Sequence, residues 1–200
     1  MIDHQNKIIF IHINKCEGTS IDRLFTGSMQ RHSCIRDYED QLGLQELNRY
    51  FKFTTVRNPW DKAVSYYHWI RKLINLHKQH VIQAYGTNWD FKKFIKTKLD
   101  VKCAGGTKYA NAWLACNQLN WIKNSKNQIC IDYICRLENL QQDFNVVCDK
   151  IGIPQQQLSH SNKGKHKHKH YTEYYDDETR EIIAYRHAED IEYFGYKFGE

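Results

Sequence analysis

Two prolines and ten glycines among 200 residues are too few for a collagen-like repeat or a low-complexity spacer. Long apolar runs are missing as well. No stretch approaches the roughly 18 residues of a membrane span. A strand-like segment begins almost at the N-terminus, where a signal peptide or anchor would need room. The seven cysteines are odd in number and lack the paired CxxC spacing of a zinc site or a secreted disulfide framework. They read as reduced thiols of a cytoplasmic protein, most of them buried and inert. Cys130 and Cys135, five apart in an expected strand, would point to opposite faces. Charge of one sign is only mildly in excess: 29 Lys and Arg against 23 Asp and Glu leave +6 at pH 7. Such a field favours an anionic ligand without pointing to DNA.

Core material is plentiful. Hydrophobic residues make up 41% of the chain and aromatics 14%, including five Trp and thirteen Tyr, which is too apolar for a disordered polymer. The length predicts one domain over residues 1–200, able to bury roughly 70% of its unfolded surface. Lys7 to Ile13 is a nearly continuous apolar run, the mark of a strand covered on both faces. A polar loop from Asn14 to Gly18 follows, and Thr19 with Ser20 opens a helical pattern that puts Ile21, Leu24 and Phe25 on one face. Ser33 is placed to cap a helix from Cys34 to about Leu42, stopped by Gly43. A second strand, Phe51 to Val56, ends at Arg57. Asn58 caps the next helix, and Pro59 sits at its first position, where the missing N–H costs nothing.

The later half continues in the same way. Tyr109 to Lys123 reads as a helix, Ile129 to Cys135 as a strand, and Leu137 to Ile151 as a helix closed by Gly152 and Pro154. Asp176 or Asp177 caps a last helix with Ile183, His187 and Ile191 on one face. Strands alternating with helices predict an α/β fold, a central and mainly parallel sheet flanked by helices.

In such folds ligands sit where strand ends lead into helices. The loop His12-Ile13-Asn14-Lys15-Cys16-Glu17-Gly18-Thr19-Ser20 has that setting, with a full charge at Lys15, close backbone approach at Gly18 and hydroxyl donors at Thr19 and Ser20. It lacks the GxxxxGK[ST] order of a Walker A loop, and no acidic strand end waits for Mg²⁺, which disfavours a metal-dependent nucleotide hydrolase or kinase. A second loop places Arg57, suited to bidentate phosphate recognition, at a strand end and Ser65 about two turns into the following helix.

Together these two segments resemble the cofactor signature of sulfotransferases that use 3′-phosphoadenosine 5′-phosphosulfate (PAPS). The likeness is nearest the branch of the heparan sulfate 2-O-sulfotransferases and their small bacterial relatives, which carry HxPKTGGTS after one strand and RNPxxRxxSxY after another. Here the second motif reads Arg57-Asn58-Pro59-Trp60-Asp61-Lys62-Ala63-Val64-Ser65-Tyr66-Tyr67. Weaker likeness runs through Arg136-Leu137-Glu138-Asn139-Leu140, Ser161-Asn162-Lys163 and Phe194-Gly195-Tyr196, so most of the chain is covered.

The resemblance implies a P-loop-like, nucleotide-kinase-like sulfotransferase fold. It implies sulfuryl transfer from PAPS to an acceptor hydroxyl, of a carbohydrate, without a metal. Lys15, Cys16, Gly18, Thr19 and Ser20 would hold the 5′-phosphosulfate, Arg57 and Ser65 the 3′-phosphate, and Lys163 would close over the latter or meet an anionic acceptor. Asn14 stands in place of Pro, Cys16 of Thr and Lys62 of Arg. Glu17 departs most, since a carboxylate turned inward would repel a phosphosulfate.

The chemistry asks for in-line positioning, charge neutralisation at the leaving group and a base for the acceptor hydroxyl. Lys15 suits the bridging oxygen. His32, just before the expected helix cap, suits the base, because a helix N-terminus disfavours imidazolium. His12 reads as a core or supporting residue; Glu138 is an alternative base, but its RLENL context reads better as a structural carboxylate. The run Lys163 to His170 alternates His with Lys; the lysines repel a cation, and it reads as a solvated loop. Trp69, Trp89, Trp113 and Trp121 could stack on a sugar or an adenine, although aromatics at helical spacing usually face the core. The rival is a non-catalytic anion- or nucleic-acid-binding protein on the same fold, with Glu17 spoiling the loop.

Overall fold

The opening apolar run lies at the centre of a four-stranded sheet. In spatial order the strands are β1 (Ile2–Asp3), β2 (Ile8–Ile11), β3 (Phe51–Val56) and β4 (Tyr133–Arg136). The structure is a computed structural model and describes residues 1–25, 32–79, 82, 87, 90–97, 116–159 and 169–200. β2, β3 and β4 run parallel, with Phe10 opposite Phe53 and Thr54 opposite Ile134. The short β1 adds an antiparallel edge, Ile2 opposite Ile9. The sheet is therefore mainly parallel, as the alternation of strands and helices requires.

Period-two alternation sends neighbouring side chains into different layers. Ile9, Ile11 and Val56 enter one core with Ala63, Tyr67 and Ile70 of α4 (Pro59–Asn75). Ile8, Phe10 and Phe53 enter the other. There they meet Ile21 of α1 (Gly18–Asp22) and Phe144, Val147 and Cys148 of a helix, Leu140–Ile151, beyond β4. Helices thus cover both faces, which is why β2 carries no polar residue. The remaining helices among the described residues are α2 (Ile35–Leu42), α3 (Leu44–Leu47), α5 (Phe91–Lys96), α6 (Leu119–Ile122), α8 (Asp177–Arg186) and α9 (Ala188–Phe194), the Leu140–Ile151 helix being α7. No described helix is long and apolar enough to cross a membrane.

Local signals fixed several ends. Asn58 caps α4, its side chain accepting from the Trp60 N–H at 3.1 Å with Pro59 at the first position. Asp176 caps α8 through the Thr179 N–H at 2.8 Å. Gly152 closes α7 in the left-handed region at φ 73°. Other boundaries moved. Cys34, not Ser33, is the N-cap of α2, and the Asp37 carboxylate closes the turn by accepting from the Cys34 N–H at 2.8 Å. The expected strand from Ile129 starts only at Tyr133. Residues 124–128 form a turn around Asn124, whose side-chain oxygen accepts from the N–H groups of Lys126 and Gln128, leaving Ile129 a single bridge to Lys123. Cys130 therefore precedes the strand, while Cys135 is buried within it. Of the expected helix from Tyr109, residues 109–115 lie outside the described residues. The last helix divides at His187 into α8 and α9.

Candidate active site

The loop between β2 and α1 bends because two non-glycine residues adopt left-handed backbone angles, Lys15 at φ 63° and Glu17 at φ 56°. Alternation of this kind turns successive N–H groups toward a common concavity that suits an anion. Helix α1 is only five residues long, so its dipole adds little and the charges must come from side chains. Gly18 is dictated by sterics. A Cβ there would come within 2.5 Å of the His12 ring. That ring cannot swing aside, because its Nδ1 is held 2.6 Å from the Asp22 carboxylate in a buried pair.

The second loop leaves β3 at Arg57 and reaches back to the first. Arg57 Nη1 donates to the Lys15 carbonyl at 3.0 Å, and Nε donates to Asp61 at 2.8 Å one turn into α4. The carboxylate fixes the plane of the guanidinium, and the rest of the fork has no partner among the described residues. Ser65 stands a further turn along the same face, half-buried. Lys15 Nζ lies 5.9 Å from the ring centre of Trp69, one more turn along. Burial pushes the Lys15 amine down to about 8; Arg57 and Lys72 repel it in the same direction, and Glu17 draws it back.

Cys16 is turned away from the concavity. Its thiol is fully buried, pushed up to about 11 by that burial, and lies 3.4 Å from Gln118 Oε1, so only the backbone of this residue can face a ligand. Thr19 is half-buried at the start of α1. The Ser20 hydroxyl donates to the Ser159 carbonyl at 2.7 Å, tying the loop to the segment that follows α7. Lys163 lies outside the described residues, as do Trp89 and Trp113. A pocket of about 230 Å³ opens between Glu17, Ser20, Glu138, Gln141 and Ser159. Glu17 is thus one of the residues that line this pocket. Glu138 accepts from the Asn58 N–H at 2.8 Å, a structural carboxylate as its context implied. Trp121 is fully buried in the core.

His32 has φ 62°, a conformation His tolerates better than most residues. Its Nδ1 is 3.3 Å from the His12 carbonyl. A carbonyl only accepts, so Nδ1 is the donor, and in a neutral ring Nε2 is then the nitrogen without a hydrogen. The His12 and His32 rings meet edge-on, 4.9 Å apart. His32 is therefore anchored to the end of β2, at the base of the Lys15 loop.

A model of the sulfotransferase family matches residues 1–197, almost the whole length over which this geometry is built. The chain belongs to the sulfotransferase family. A protein of Archaeoglobus fulgidus, described only as uncharacterized, is 25% identical over 117 residues, 58% of this chain and 80% of that one. No solved structure matches. In this sulfotransferase the fold bonds Arg57 to the Lys15 loop, which also carries Gly18 and Thr19, and His32 to the end of β2; Ser65 lies two turns along α4 from Arg57. Sequence reading missed what holds them: Asp22 behind His12, Asp61 beside Arg57, and Gln118 between the loops. Asp61 alone carried a signal, its i, i+4 spacing from Arg57.

Proposed function

We propose that this sulfotransferase takes the sulfuryl group from PAPS and passes it to a hydroxyl of a carbohydrate acceptor. The bond from Arg57 to the Lys15 carbonyl carries the reading. It ties two cation-bearing loops together, which a ligand with an anion at each end would require. The concave N–H groups and Lys15 fit the phosphosulfate; the unpartnered part of Arg57 and the Ser65 hydroxyl fit the 3′-phosphate. The carbohydrate acceptor rests on the resemblance of the two motifs to their branch. By the same resemblance, Lys163 would meet the 3′-phosphate.

The reaction is an in-line displacement. The acceptor oxygen forms a bond to sulfur as the bond from sulfur to the bridging phosphate oxygen breaks. The acceptor's proton goes to His32 Nε2, the ring nitrogen that carries no hydrogen in the neutral tautomer whose Nδ1 donates to the His12 carbonyl. The ammonium of Lys15 stabilises the charge left on the bridging oxygen. Asp22 and His12 act at one remove, fixing the strand end to which His32 is hydrogen-bonded.

Transfer of radiolabelled sulfate from PAPS, screened over polysaccharide, glycolipid, small-metabolite and protein acceptors, tests the proposal with Lys15→Ala as the blank. Labelled carbohydrate is the expected product. His32→Ala should keep nucleotide binding and lose about 10²- to 10⁴-fold in turnover; full activity in that variant removes His32 from the mechanism. Polynucleotide binding that falls steeply with salt, with no labelled product, would favour the non-catalytic reading instead.

A further inference from the structure

One side chain bonds to both loops, and it belongs to neither. Gln118 is fully buried, at the N-terminal edge of α6. Its Oε1 accepts from the Arg57 N–H at 2.9 Å, and its Nε2 donates to the Arg57 carbonyl at 2.9 Å. The carboxamide thus pairs with Arg57 as a neighbouring strand would, just where β3 ends. The same Oε1 lies 3.4 Å from the Cys16 sulfur in the other loop. Gln118 is itself held by Asp190 of α9, which accepts from the backbone N–H groups of Gln118 at 2.7 Å and Leu119 at 3.0 Å while fully buried. An amide clamped in this way cannot rotate without abandoning several bonds in a dry interior, where each unmet group is costly.

We infer that Gln118 is the positioning residue that couples the Lys15 loop to the Arg57 loop, so that the two ends of a doubly anionic nucleotide are bound as one event. This rests on the PAPS reading above. Two loops held in register bind the second phosphate without a further ordering cost, which appears as extra affinity for the two-ended ligand. Loops that move independently lose that gain while each still binds its own anion.

The experiment is titration calorimetry of adenosine 3′,5′-bisphosphate, adenosine 5′-monophosphate and adenosine 3′-monophosphate. The proteins are the wild type, Gln118→Met, which fills the volume without the amide, and Cys16→Ala and Cys16→Ser. The wild type should bind the bisphosphate far more tightly than either monophosphate. Gln118→Met should cut that advantage about tenfold, the worth of two lost hydrogen bonds, and leave both monophosphate affinities within roughly threefold. Cys16→Ala should lose a smaller part, which Cys16→Ser, keeping a donor, should restore. This pair decides the matter even where Gln118→Met fails to fold. An unchanged advantage in Gln118→Met and Cys16→Ala overturns the inference. So does an equal fall for all three nucleotides, which is general loosening. A wild type that binds none of them overturns the PAPS reading itself.

Discussion

Lys15 carries opposed demands: the proposed reaction needs its charge, and burial works against it. In the folded protein its proton is lost near pH 8, against 10.5 for the ordinary side chain. Below pH 8 the fold bears the cost of a buried ammonium; from 8 to 10.5 that cost is relieved, so the unliganded protein gains stability from this group as pH rises. Nucleotide affinity runs the other way. Calorimetry with adenosine 3′,5′-bisphosphate should show affinity falling above pH 8 by up to about tenfold per pH unit, and Lys15→Ala should be weak and flat over the same range. Glu17 is the second residue in tension. It holds a left-handed angle that glycine adopts freely, and it sets a carboxylate beside Lys15 and the pocket. Glu17→Gly should tighten bisphosphate binding roughly threefold to tenfold by removing that repulsion, with no loss of stability on urea denaturation. Gly18→Ala should do the opposite. The added methyl must displace a His12 ring pinned by Asp22, at a cost of about 1–3 kcal/mol in urea denaturation.

Among the elements, α4 matters most, because its first turns carry Asp61 and Ser65 and its start fixes Arg57. The Asn58 cap is buried and bonds in two directions, to the Trp60 N–H and, through Nδ2, to the Lys197 carbonyl at 3.0 Å. Asn58→Ala should cost about 0.5–2 kcal/mol in equilibrium denaturation and also weaken nucleotide binding, since the helix start and the Arg57 loop are the same few residues. Asn58→Ser should recover most of the stability, because serine caps comparably. Much of this element was legible beforehand. Asn-Pro before an apolar period states a helix start with its mechanism, and helix and cap are where they were expected. The N-cap of α2 and the start of the strand at Tyr133 were not legible to a residue. In each case a side chain, Asp37 or Asn124, competes for backbone groups that propensity alone assigns elsewhere.

Across the whole molecule, the two halves of the site are brought together by the parallel pairing of β2 and β3, with Ile11 opposite Thr54. Ligand binding should therefore stabilise the fold as a unit. At adenosine 3′,5′-bisphosphate a hundredfold above its dissociation constant, linkage gives about 2.7 kcal/mol, visible as a clear rise in melting temperature by calorimetry. Lys15→Ala and Arg57→Ala should each lose most of that rise at the same ligand concentration, each measured against its own unliganded melting temperature.

Residue order alone determined the chemistry available at each strand end: a lysine in a glycine-containing turn, and an arginine before Asn-Pro with a serine two turns on. It also set the alternation that makes the sheet parallel, because apolar period and capping residues act over a few neighbours. Only the tertiary structure decided that Arg57 reaches the Lys15 carbonyl, that Gln118, 102 residues from Cys16, lies against that loop and Arg57 together, and that His32 has its hydrogen on Nδ1. Those are hydrogen bonds between segments far apart in the chain. Their existence depends on where packed helices and paired strands bring the backbone, and no local pattern encodes that.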